Sequence, residues 1–263
     1  MSPAEPEGRV MTIRTKSIPT VIATCALLLL LATAPALAVD GEILIDRAKV
    51  IAGGITPGDA PGFPATLSRP GRYKLTGNLV VPAGQTGIVV TQHDVTIDLD
   101  GFTISSNPPG QASFGIHAAS VTGLSVANGT ITGFSAPGVY NVGGRFAVVE
   151  DMRLVSNQFG FEGGSDARIR TSTIASGFIG IVCTGCLVER NVITGNTHDG
   201  ISVFDQAGLV VGNVIVGNGR FGLISNAKTG YGNNILFGNN GGGAQVNAQP
   251  AQLHPNVCDP PCP

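Results

Sequence analysis

Tryptophan is absent from this 263-residue chain, methionine and tyrosine occur three times each, and only 12% of residues are charged. A compact helical protein solvates its outer faces with charge, so the scarcity weighs against a helical fold. Fifteen basic and 17 acidic residues leave a net charge of −2. That balance excludes a general electrostatic pull towards nucleic acid or an anionic membrane. Glycine, by contrast, is abundant at 38 residues, in a chain that is 43% apolar. Glycine supplies turns and β-branched residues fill strands, so the composition points to an all-β repeat.

Long hydrophobic runs are also scarce. The clearest, Val21 to Ala34, follows Arg9, Arg14 and Lys16 and precedes Ala36-Leu37-Ala38. A basic region, a short apolar run and a small-x-small site form an export signal over residues 1–38, starting at Met1 or Met11. The run is too short and proline-bounded for a membrane anchor, and Thr24 before Cys25 disfavours a lipid anchor. The expected destination is therefore secreted or periplasmic, with no transmembrane anchor after cleavage.

The mature chain keeps four cysteines, Cys183, Cys186, Cys258 and Cys262. An even count in an exported chain reads as two local disulfides. A redox reading of Cys183-Thr-Gly-Cys186 wants a βαβ setting that is missing. A zinc reading wants a second pair nearby, so no metal and no cofactor are expected.

Glycine followed by an apolar residue recurs at Gly87, Gly115, Gly138, Gly160, Gly180, Gly200 and Gly222, in steps of 28, 23, 22, 20, 20 and 22 residues. A second marker keeps step with it: the stretch Val188 to Asn196 (VERNVITGN) matches Val210 to Asn218 (VGNVIVGN with one further valine), and Asn234 to Asn239 continues it. Two markers in phase define a solenoid. Within a unit the apolar residues alternate in short runs, which is strand periodicity. Three short strands per unit, joined by crossovers that are nearly always right-handed, give a right-handed parallel β-helix of about 7–8 coils of 20–28 residues. The expected division is a signal at 1–38, a cap and first incomplete coil at 39–86, repeats at 87–246 and a tail at 247–263. Asp46 is placed to N-cap a short helix stopped at Gly53-Gly54.

The pattern predicts one buried column of Ile131, Leu154, Ile174, Ile193, Ile215 and Leu236. It also predicts two stacked asparagine columns, Asn191/Asn213/Asn234 and Asn196/Asn218/Asn239, in turns where asparagine tolerates left-handed backbone. Glu150, Arg170 and Glu189 form an expected outer ion-pair column.

The segment Asp94 to Ile104 (DVTIDLDGFTI), followed by Asn-x-Ile-x-x-Asn units, resembles the pectate-lyase-like right-handed β-helix superfamily over residues 42–262. The similarity is nearer to its short-coil periplasmic branch, which includes the β-helix protein of nitrous-oxide-reductase maturation. Residues 53–63 and the Cys258 to Cys262 ending are similar to bacterial secreted proteins without an assigned activity. The resemblance implies the fold, while one fold hosts many chemistries. Enzymes of the superfamily mostly cleave or epimerise acidic polysaccharides, and their motifs do not survive here. Arg168-Ile169-Arg170 alone resembles a polygalacturonase motif, without the paired aspartates such chemistry uses. Asp94, Asp98 and Asp100 crowd one strand without carboxylates on the next coil to complete a calcium site. Asn196-Thr-His198-Asp199 keeps only half of an epimerase motif.

Two groups remain as candidate binding residues. Counting from each repeat glycine places His117, Tyr140 and Glu162 in one outward row, with Phe204 and Asn226 extending it. An imidazole, an aromatic ring and a carboxylate suit sugar recognition or proton transfer. His198 and Asp199 are the second group, because Asp199 interrupts an otherwise apolar column before the glycines; an Asp-Gly turn is the preferred explanation. The leading expectation is a non-catalytic exported module presenting a sheet face to a polysaccharide or another envelope component. The alternatives are a lyase or uronate epimerase acting on an acidic glycan, and a periplasmic maturation or binding factor for another protein.

Overall fold

The computed structural model describes residues 41–226, 228–247 and 249–262. The expected signal segment, Cys25 and both candidate starts lie outside them. From residue 71 the chain runs through three short strands per turn, and each strand pairs in parallel with its counterpart on the next turn. In chain order these form a first, a second and a third face, around one apolar core.

Strict register builds that core. On the second face Leu79, Ile104, Ile131, Leu154, Ile174, Ile193, Ile215 and Leu236 stand opposite one another turn after turn, each at most 1% exposed. Ile97, Val126, Val149, Ile169, Val188 and Val210 do the same on the first face. The third face contributes Ile88, Ile116, Val139, Phe161, Ile181, Ile201 and Leu223. Burial of each such side chain stabilises the fold by about 1.5–3 kcal/mol.

The repeat glycines have a reason in this packing. A Cβ on Gly115 would lie 2.5 Å from the carbonyl oxygen of Gly138, and one on Gly180 equally close to that of Gly200. The corner into the third face is too tight for a side chain, so glycine recurs there.

The asparagine columns are continuous hydrogen-bonded ladders. Asn191 Nδ2 donates to Asn213 Oδ1 at 3.1 Å, Asn213 to Asn234 at 3.0 Å, and Asn234 to Asn256 at 3.0 Å. The backbone N–H of each ladder residue donates to the same oxygen. The second ladder runs Asn196, Asn218, Asn239 and then Gln245, at 2.9, 2.8 and 2.7 Å. The left-handed positions, however, belong to the residues just before: Arg190, Gly212 and Asn233 in one turn, Gly195, Gly217 and Gly238 in the other. The asparagine side chains point inward and are satisfied there, which a left-handed residue on the rim could not achieve.

The solenoid has about nine turns, because segments without the repeat marker also join the sheets. Ile43 pairs with Tyr73, and Val257–Asp259 in the expected tail stacks on the Leu236 strand. Residues 139–145 form one strand of the third face. In the outer charge column Arg170 Nε donates to Glu150 at 2.7 Å, but Glu189 turns to Arg168 at 4.0 Å, so the column breaks after one pair. The N-terminal helix Arg47–Ala52 is capped by Asp46, whose carboxylate accepts the Lys49 N–H at 2.8 Å, and Gly53 ends it. No helix among the described residues is long and apolar enough to cross a membrane.

Candidate functional site

The outer surface of the third face carries the first group of residues on successive rungs. Tyr140, in the strand Val139–Arg145, pairs with His117 on the turn before and with Glu162 on the turn after, without a register shift at these positions. The His117 and Tyr140 rings are parallel within 6° with centroids 5.1 Å apart, and Phe114 meets them at 4.7 and 5.2 Å. Parallel rings this close overlap rather than lie side by side on the sheet. They therefore stand up from it, and Glu162 follows on the next rung. Glu162 is half-buried and has no hydrogen bond or ion pair among the described residues. Burial raises its carboxyl pKa above the usual value, and burial lowers that of His117.

Beside Glu162 lies an open groove of about 330 Å³. Its walls are the backbone of Val142–Gly144 and Gly163–Ser165, with Val182, Thr184 and Phe204 completing it. The ladder register shifts between Asn141 and Arg145 and again between Gly163 and Ser165, which opens the surface at this point. Glycine is required on both turns: a Cβ on Gly144 would collide with the Val121 carbonyl oxygen, and one on Gly164 with the Gly144 carbonyl oxygen. Phe204 pairs with Thr184, two residues beyond the Val182–Ser202 rung. It thus shares the face with the expected row but stands in the next outward column, 44% exposed, as a groove wall. Asn226 lies past the end of the last third-face strand, Leu223–Ser225, where its carboxamide accepts the Lys228 N–H.

His198 and Asp199 sit at the corner into the same face. Asp199 is buried, and its Oδ1 accepts the Phe221 N–H of the following turn at 3.1 Å. Its Oδ2 lies 2.8 Å from His198 Nδ1, without the alignment of a hydrogen bond, and 3.9 Å from Arg220. Arg220 Nη1 contacts His198 Nε2 at 2.7 Å, and Phe178 stacks on the imidazole at 4.8 Å. The carboxylate in the apolar column is thereby explained as a pin between two turns. It does this through its side chain, and its backbone is not left-handed as an Asp-Gly turn would have it.

Cys183 pairs with Cys186 and Cys258 with Cys262, at Cα separations of 6.0 and 5.6 Å. The first pair spans the corner under the groove, and the second closes the last turn. No cluster of three potential metal-ligating side chains occurs among the described residues. Asp98 accepts from the Asp100 N–H and from Asn128, while Asp100 pairs with Lys74 at 3.1 Å.

The family described as "Right handed beta helix region" matches residues 71–256. The chain belongs to this family. No curated protein matches the β-helix significantly. Among solved structures, the A-module of mannuronan C-5 epimerase AlgE4 from Azotobacter vinelandii aligns with a TM-score of 0.48 and 17% identity, covering 82% of this chain and 74% of its own. The periplasmic alginate epimerase AlgG aligns at 0.43 and 14%, covering 69% of this chain and 51% of its own, so the β-helix spans about half its length. Likeness at this level does not bear on what the β-helix binds.

Of the expected residues, the β-helix brings His117, Tyr140 and Glu162 together and puts Phe204 across the groove from Glu162. His198 and Asp199 form a separate cluster. Sequence reasoning passed over Phe114 and the groove backbone. The available signal was the glycine doublet, Gly143-Gly144 on one turn and Gly163-Gly164 on the next.

Proposed function

We propose that this β-helix is an exported, non-catalytic binding module that holds a polysaccharide on the outer surface of its third face. The observation that carries the reading is the arrangement around Tyr140: a ring stacked on His117 and, on the next rung, a half-buried, unpartnered carboxylate that lines a groove of about 330 Å³. Ring stacking supplies apolar contact to a pyranose and the carboxylate orients its hydroxyls. Export is supported by the signal pattern in the first 38 residues and by the two local disulfides. A binding rather than hydrolytic role is supported by the lining, in which Glu162 is the one carboxylate, whereas glycosidic hydrolysis commonly employs two.

One observation favours the alternative of a lyase or epimerase. Burial raises the carboxyl pKa of Glu162, as suits a group that takes up and returns a proton. A glycan array run beside a uronate-lyase absorbance assay separates the two: binding without turnover supports the module, and turnover supports the enzyme. Tyr140→Ala is expected to weaken glycan binding about fivefold, equivalent to about 1 kcal/mol of stacking, with a nearly unchanged melting temperature. Unchanged affinity, or the absence of any glycan ligand, would reject the reading.

A further inference from the structure

The charge around the groove allows the ligand class to be narrowed, on the basis of the binding role proposed above. We infer that the groove takes an uncharged glycan and turns away uronate-containing ones, with Glu162 as the acceptor for sugar hydroxyls.

The argument rests on which charges can reach a bound sugar. Glu162 is the one ionisable side chain in the groove lining. It is partly desolvated and lacks a partner among the described residues, so it is free to accept hydrogen bonds from a ligand. A ligand carboxylate placed there would face a like charge in a partly dry site, where repulsion is screened less than in water. A cation could rescue such a ligand, but the nearby cations are engaged elsewhere. Arg145, next to the groove glycines, donates to Asp166 at 3.1 and 2.7 Å and lies over Phe146. Arg220, at the corner of the face, is held on His198. Arg168 and Arg170 belong to the first face and contact Glu189 and Glu150. A bridging divalent ion is disfavoured as well, since one carboxylate without neighbouring oxygen ligands is a poor site for it.

The remaining lining fits a neutral sugar. Phe204 and Val182 offer apolar surface to its C–H face, and the glycine-bared strands let a ring approach the backbone closely. Hydroxyl donors of the sugar then complete the half-buried carboxylate, which has no partner among the described residues.

The test uses the full mature protein in affinity electrophoresis through neutral polysaccharides (glucan, mannan, xylan) and acidic ones (alginate, polygalacturonate), at low and high salt. Retardation by at least one neutral polymer, insensitive to salt, and none by the acidic polymers is expected. Glu162→Gln is expected to weaken neutral binding at least tenfold without lowering the melting temperature, so loss of binding is not loss of fold. Preferential binding of the acidic polymers, or tighter binding after Glu162→Gln, overturns this inference while leaving the glycan-binding reading intact. If no polymer of either class binds, the reading itself fails along with it.

Discussion

Glu162 is held in a conformation that costs stability. Its carboxyl pKa is raised in the folded protein by burial, so folding favours the protonated form. This contribution is fully present below the ordinary glutamate pKa of about 4.3 and is lost as pH rises through the raised folded value. Glu162→Gln is therefore expected to raise the melting temperature at neutral pH and to leave it unchanged below about pH 4, as measured by calorimetry at both. A lowered melting temperature at neutral pH would mean that the carboxylate has a partner within the fold. Beside the groove the side chain is kept against its own solvation preference, a cost that binding would offset. His117 titrates in the opposite sense, since burial disfavours its charged form. The row itself was legible by counting from the repeat glycines, because a parallel ladder transmits register faithfully from His117 to Tyr140 to Glu162. The groove was not. It arises where the register slips after Asn141 and after Gly163, and a slip leaves no trace in hydrophobic alternation beyond the glycine doublets that permit it.

At the scale of an element, the inner ladders and the outer charge column make a contrast. Asn213 Oδ1 accepts two hydrogen bonds from Asn191, and its amide nitrogen donates to the Val188 carbonyl at 2.9 Å and to Asn234. Asn213→Ala leaves several of these buried groups unpaired, at about 1–3 kcal/mol each. A total loss of about 3 kcal/mol is expected, read as a fall of about 6–12 °C in melting temperature. Glu189→Ala, on the surface, is expected to change stability by less than about 0.5 kcal/mol. A mild effect of Asn213→Ala would show that water replaces the amide. The ladders were visible in sequence because asparagine recurs in phase with the buried isoleucines. The identity of the left-handed residue was not, since arginine, glycine and asparagine all fill that rim position. The charge column misled because long side chains choose partners locally: Glu189 reaches diagonally to Arg168 rather than across to Arg170.

For the molecule as a whole, one turn is nearly equivalent to the next. Asn196, Asn218 and Asn239 hold the same place, as do Ile181, Ile201 and Leu223. Deleting residues 197–218 should let Asn196 meet Asn239 and yield a folded protein shorter by one rung of about 4.8 Å. Circular dichroism and small-angle scattering would show this, and aggregation or loss of cooperative unfolding would contradict it. The variant also lacks Phe204 and should lose glycan binding. The two end turns were the least legible in sequence because they trade the repeat marker for capping features, the Asp46-capped helix at one end and the Cys258–Cys262 loop at the other. Both ladders finish in a particular way. Gln245 turns its amide back to the carbonyls of Asn239 and Gly243, and Asn256 turns its own to Gln252 and His254. Every other member hands its backbone N–H and an amide N–H forward along the ladder. The last member instead spends its amide donors on groups nearby in its own chain, and so holds no amide donor out for a further turn. A stack that could be prolonged indefinitely, as in a fibril, thus has both of its inner ladders closed by a terminal amide.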